Sequence, residues 1–96
     1  MRRKETVKIR EIVNAILKEQ GLEGKMAENR LMNSWSELLG KTIANSTQDM
    51  YIKDSILFVH LRSSVIRHEL MIIKKDLIEK LNEKAGIDII QNIVLR

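Results

Sequence analysis

The chain reads as a single α+β domain of order α-α-β-β-α-β, with a three-stranded sheet backed by helices on one face. Three observations lead there. Apolar residues recur at helical spacing in three separate segments, the longest running from Ser64 to just before Gly86. Two short alternating runs lie between the second and third of these segments, separated by Asp54-Ser55, and another apolar run closes the sequence. The 96 residues allow one core, since a domain of this size buries somewhat over about 60% of the surface its unfolded chain exposes.

The first helix is expected from about Glu5 to Gln20, where Ile9, Ile12, Val13, Ile16 and Leu17 keep the spacing of one amphipathic face. Thr6 is its N-cap and Gly21 its stop. After Gly21-Leu22-Glu23-Gly24, a second helix is expected over Lys25 to Leu39, with Ala27, Leu31, Trp35 and Leu38 as its buried lane. Gly40 ends it, and Lys41 to Ser46 adds a further turn with Ile43 facing inward.

Strands are expected at Met50 to Lys53 and Ile56 to Leu61, joined as a tight hairpin by Asp54-Ser55. Leu57, Val59 and Leu61 alternate with Ile56, Phe58 and His60, so one set goes to the core and the other is half exposed. The long third helix then carries Ile66, Leu70, Ile73, Leu77 and Leu81 on one narrow lane. A second lane of Met71, Ile78 and Ala85 widens the apolar arc to roughly 160°, so the helix needs cover from two sides. Gly86 supplies the next turn, and Ile87 to Leu95 holds the last strand, ending Ile93-Val94-Leu95.

Hydrophobic residues make up 44% of the chain and charged residues 31%, the composition of an ordinary globular protein. No apolar run approaches the roughly 20 residues that span a bilayer, and Met1-Arg2-Arg3-Lys4-Glu5 leads into an amphipathic segment. A cytoplasmic location away from membranes is the expectation. The absence of cysteine fits a reducing compartment and excludes disulfides, thiolate zinc sites and cysteine nucleophiles.

The net charge of +4 is unevenly placed. Residues 1–10 form a basic arm leading into the first helix, with Arg2, Arg3, Lys4, Lys8 and Arg10 against Glu5 alone. The rest of the chain balances twelve basic against twelve acidic residues. Such an arm either binds phosphate backbones through counterion release or serves as a solvated, solubilising tail. Arg62, Arg67, Lys74 and Lys75 form a second basic group on the long helix. Arg67 and Lys74 fall inside its apolar arc, where they snorkel from a core edge or line a groove. Glu69, Asp76, Glu79 and Glu83 make a mixed-charge face the simpler reading.

Other candidates are weaker. Gly21-Leu22-Glu23-Gly24 has the G-x-x-G form of a nucleic-acid backbone clamp, but Glu23 is unfavourable beside a phosphate and a plain helix joint explains both glycines. Ser64 and His68 lie one helical turn apart, yet no third group completes a triad, and a serine cap beside an exposed histidine accounts for them. Two histidines without recognisable carboxylate spacing make no metal site. No catalysis, cofactor, metal or small-molecule substrate is therefore expected. Ile72 stands alone on the polar side of the long helix, as a candidate protein contact or as an ordinary exposed isoleucine.

Three longer stretches carry a family resemblance: Trp35-Ser36-Glu37-Leu38-Leu39-Gly40-Lys41-Thr42-Ile43-Ala44, Tyr51-Ile52-Lys53-Asp54-Ser55-Ile56-Leu57-Phe58-Val59, and Ser63-Ser64-Val65-Ile66-Arg67-His68-Glu69-Leu70. Together with Leu81-Asn82-Glu83, Gly86 and the closing Ile93-Val94-Leu95-Arg96, their order and spacing resemble the DciA-like domain family over nearly the whole chain, residues 5–96. The sequence departs at Ser46 and Gln48, where the family often has histidine and proline, and at Ser55, where the hairpin often has glycine. The resemblance implies a KH-like domain, and the order α-α-β-β-α-β is a cyclic permutation of one KH type.

The resemblance also implies a bacterial, non-catalytic nucleic-acid-binding or helicase-associated adaptor in DNA replication. Its expected partners are DNA, or RNA, bound without sequence preference, and the replicative helicase. Helicase-loading members carry a tail beyond this domain, implicated in the helicase contact, whereas this sequence stops at the last strand. The alternatives are a protein-interaction module that binds no nucleic acid and a KH-like RNA-binding protein. With Trp35, Tyr51 and Phe58 as the aromatics, base stacking is expected to be poorly supplied.

Overall fold

In a computed structural model, the described residues are Ile12 and residues 22–96. The basic arm and the expected first helix lie outside them, apart from Ile12, which is exposed although the pattern puts it in the apolar lane. The described part is α+β, as the sequence predicts. Its elements are α1 (Glu23–Leu39), α2 (Lys41–Ser46), β1 (Thr47–Lys53), β2 (Ile56–Leu61), α3 (Ser64–Ile72), α4 (Lys74–Ala85) and β3 (Asn92–Leu95).

Helix α1 buries Ala27, Leu31, Ser34 and Trp35. The four fall on one face because they recur at steps of three and four. Ser34 satisfies its buried hydroxyl by donating to the Leu31 carbonyl at 2.8 Å. Gly40 closes the helix at φ 89°, its N–H donating to the Ser36 carbonyl at 2.8 Å, and α2 follows at once. The Trp35 indole N–H donates to Thr47 Oγ1 at 2.9 Å, and that hydroxyl donates to the Ile43 carbonyl at 2.8 Å. One chain of hydrogen bonds thus links α1, α2 and the first residue of β1.

Strand β1 begins three residues before the sequence pattern suggests, because Thr47 pairs with Leu61 across an irregularity between Thr47 and Asp49. From Asp49 onward β1 and β2 pair antiparallel through to Lys53 opposite Ile56. Asp54 and Ser55 form the turn at φ 52° and 63°. Positive φ at both central residues is the condition of a type I′ hairpin, and it favours glycine where this chain has Ser55. Strand β2 is central in the order β1-β2-β3, and β3 pairs with it in parallel, Leu57 opposite Ile93 and Val59 opposite Leu95.

The parallel pairing requires a crossover, and α3 with α4 provides it. The sequence predicts one long helix here, but the structure has two. Ile73 leaves the helical conformation at φ −101°, ψ 15°, and α4 restarts with Leu77 N–H donating to the Ile73 carbonyl at 2.9 Å. Neither glycine nor proline marks the break. It follows from what each half packs against: α3 lies on β2 and β3, while α4 lies mainly along α1. Two corrections come with it. Ile73 and Met71, placed on the apolar lanes by periodicity, are exposed, whereas Leu70, Leu77, Leu81 and Ala85 are buried as expected. The helix cap is Ser63 rather than Ser64, its Oγ accepting from Ile66 N–H at 3.2 Å.

Helix α4 stops at Gly86, whose left-handed φ of 89° lets its N–H reach the Asn82 carbonyl at 2.9 Å. Arg30 from α1 donates Nε to the Ala85 carbonyl at 2.9 Å, so a cation from another helix satisfies that end. Asn82 holds the following loop. Its Oδ1 accepts from Ile89 and Ile90 N–H at 3.0 and 3.1 Å, and its Nδ2 donates to the Ile90 carbonyl at 2.9 Å. Ile90 and Ile93 thereby enter the core with Leu31, Leu57, Val59 and Leu81.

Candidate nucleic-acid interface

The two sheet faces differ in cover. Leu57, Val59, Leu61 and Ile93 point toward the helices and are buried. The residues that alternate with them form a more open face, on which Tyr51 and His60 are exposed and Phe58 is half-buried.

On that open face, Tyr51 and Phe58 sit opposite each other on β1 and β2. Their rings stack at 4.9 Å between centroids with 14° between planes. Arg96, which follows β3, places its guanidinium carbon 5.3 Å from the Phe58 centroid and donates Nη2 to the Tyr51 hydroxyl at 3.0 Å. The Arg96 backbone continues the ladder, its N–H donating to the Val59 carbonyl at 2.9 Å and its carbonyl accepting from Leu61 N–H at 2.7 Å. That anchoring aims the side chain across the sheet. Together with Asp49 and His60 these residues line an open concavity of about 230 Å³.

The expected basic residues are placed less compactly. Arg2, Arg3, Lys4, Lys8 and Arg10 lie outside the described residues. Arg62 is exposed, but its Nη1 donates to the Asn45 carbonyl at 2.7 Å and its N–H to the Ser46 carbonyl at 2.8 Å. It ties the start of α3 to the end of α2. Arg67 and Lys74 are half-buried, in keeping with side chains that run along an apolar edge, and Lys75 is exposed. Arg67 lies on α3, whereas Lys74 and Lys75 open α4 beyond the break at Ile73. The one ion pair among the described residues joins Lys84 Nζ and Glu37 Oε1 at 3.1 Å, between exposed side chains.

Of the G-x-x-G stretch, Gly24 lies within the first turn of α1, and a Cβ there would meet nothing within 4 Å. Neither space nor a loop conformation requires glycine at that position. Ile72 is exposed as expected, at 71%, but it is not alone: Val65, seven residues earlier on α3, is 66% exposed, and Met71 and Ile73 are exposed beside it. Among the described residues no helix is long and apolar enough to cross a membrane.

Sequence reasoning missed the aromatic stack, although a signal for it existed. A two-residue turn at Asp54-Ser55 pairs residues equidistant from it, which places Tyr51 opposite Phe58. Arg96 carried no such signal, because the register of a parallel strand is set by the whole crossover.

The described part is thus a small α+β domain with one helix-covered sheet face and one open face bearing aromatic and basic side chains. The family model described as "Dna[CI] antecedent, DciA" matches residues 8–95, and the chain belongs to the DciA family. It is also similar to a UPF0232 protein of Rhodococcus jostii (strain RHA1), 23% identical over 82 residues, which are 85% of this chain and 44% of that protein. The chain therefore spans less than half the length of this curated relative. No solved structure matches it. The DciA family is associated with loading of the replicative helicase.

Proposed function

We propose that this chain is a non-catalytic adaptor of bacterial DNA replication that binds DNA through its phosphate backbone and associates with the replicative helicase. The observation that carries the reading is the DciA family match across residues 8–95. The basic arm supports it: Arg2, Arg3, Lys4, Lys8 and Arg10 concentrate the whole net charge in ten residues, as counterion-release binding to a polyanion requires. Arg67, Lys74 and Lys75 add a secondary cationic surface, while Arg62 serves the fold first.

Fluorescence anisotropy with single-stranded DNA, duplex DNA and single-stranded RNA, at low and near-physiological salt, tests the reading. Affinity should fall steeply as salt rises, and replacing the five arm residues by alanine should remove most of it. Unchanged affinity in that variant would exclude the arm as the binding element. Absence of binding at low salt would exclude the nucleic-acid function.

A second reading is favoured by the exposed apolar residues Val65, Met71, Ile72 and Ile73 on and beside α3. Here the chain is a protein-interaction module that docks this face on the helicase without touching nucleic acid. Capture of purified helicase that depends on Ile72 and ignores the arm would select it.

A further inference from the structure

We propose that the open face of the sheet is a base-stacking platform that takes an unpaired base of single-stranded DNA against Tyr51. The inference rests on the nucleic-acid reading above and adds the strandedness of the ligand and the residues that contact it. Phe58 covers one face of the Tyr51 ring, yet Tyr51 remains 41% exposed on edge strand β1. Tyr51 therefore keeps surface that the stack on Phe58 leaves open to solvent. Its position is fixed from three sides, by the stack on Phe58, the strand pairing and the bond from Arg96 to its hydroxyl. A stacking partner held in advance loses little further freedom when it binds.

The chemistry around the ring selects a base over a phosphate. Arg96 already spends its cation on the Phe58 face and the Tyr51 hydroxyl. Asp49, at the rim of the same concavity, repels a phosphate but accepts hydrogen bonds from the amino edge of a base. His60, paired with Asp49 across the strands, offers a further planar group beside the same opening. Lys53 lies two residues along the same face from Tyr51 and is exposed, where a phosphate flanking the stacked base would run. Bases within a duplex are already stacked on their neighbours and do not reach such a platform, whereas those of a single strand do.

The experiment compares wild type, Tyr51→Ala, Tyr51→Phe, Arg96→Gln and the five-alanine arm variant. Each is titrated against oligothymidylate of about twelve nucleotides, the matching oligouridylate and a duplex. Tyr51→Ala should weaken oligothymidylate binding on the order of tenfold, leave duplex binding within about twofold and leave the salt dependence unchanged. Tyr51→Phe keeps the ring but forfeits the bond from Arg96, so it should retain most of the binding and lose no more than Arg96→Gln. Arg96→Gln, which loosens the stack without removing it, should show a smaller loss confined to the single strand. The arm variant should lose single strand and duplex alike. If Tyr51→Ala and Arg96→Gln both hold oligothymidylate as tightly as wild type, the platform is wrong while the arm reading stands. If wild type binds no nucleic acid at low salt, both fall together. Tighter, Tyr51-dependent binding of oligouridylate would overturn DNA as the occupant.

Discussion

Helices α3 and α4 come from one continuous apolar pattern, yet they do opposite things with it. In α4, Leu77, Leu81 and Ala85 are buried, Asn82 is bonded at both ends of its amide, and Gly86 and Arg30 finish the C-terminus. In α3, Leu70 is the only buried residue, while Val65, Met71 and Ile72 face outward. One helix is consumed by the fold and the other keeps apolar surface to spare. A lane of hydrophobic residues states that a helix has an apolar side; it does not state whether this chain or another molecule covers it.

The contrast is tested most severely at Leu81. Its side chain is fully buried between α1 and the sheet, so Leu81→Ala removes burial and leaves a cavity, at a cost of about 3 kcal/mol. Urea denaturation should show the midpoint falling with the slope unchanged. A loss under about 1 kcal/mol would mean that α4 is no better anchored than α3. Next comes Asn82→Ala, which leaves the N–H groups of Ile89 and Ile90 and the Ile90 carbonyl without their partner. A loss of about 2 kcal/mol is expected, with Ile89 and Ile90 amides exchanging faster than those of β2. Retained protection at Ile89 and Ile90 would show that the loop is held by packing alone.

How far the sequence foretold this depends on the range over which each feature is decided. The hairpin was legible because its turn, its alternation and the identity of Leu57, Val59 and Leu61 as core are all local. The burial of Ala27, Leu31 and Trp35 followed from spacing for the same reason. The break at Ile73 was not legible, since only packing in two directions imposes it. Nor was the role of Asn82, a polar residue beside Leu81 whose partners lie seven and eight residues ahead in a loop without periodicity. For the candidate sites, the basic arm was plain in composition, and Ile72 was found as an exception to a pattern. Its companion Val65 is hidden in the sequence by its neighbour, the well-patterned Ile66. For Tyr51 and Phe58 the number of aromatics says little, because cross-strand pairing brings both to one spot.

The smallest expected change in stability is at Ile72, where the comparison meets function. Its side chain is mostly solvent-exposed in the folded chain, so Ile72→Ser forfeits little burial and should shift stability by no more than about 0.5 kcal/mol. On α3 the same change puts a hydroxyl at the end of the Val65–Ile72 lane and divides the apolar surface that a partner helix or strand would cover. Stability near wild type with loss of helicase capture would make α3 the docking element and α4 its support. A destabilisation approaching that of Leu81→Ala would show Ile72 to be covered within the folded chain, and the division of labour between the two helices would then be wrong.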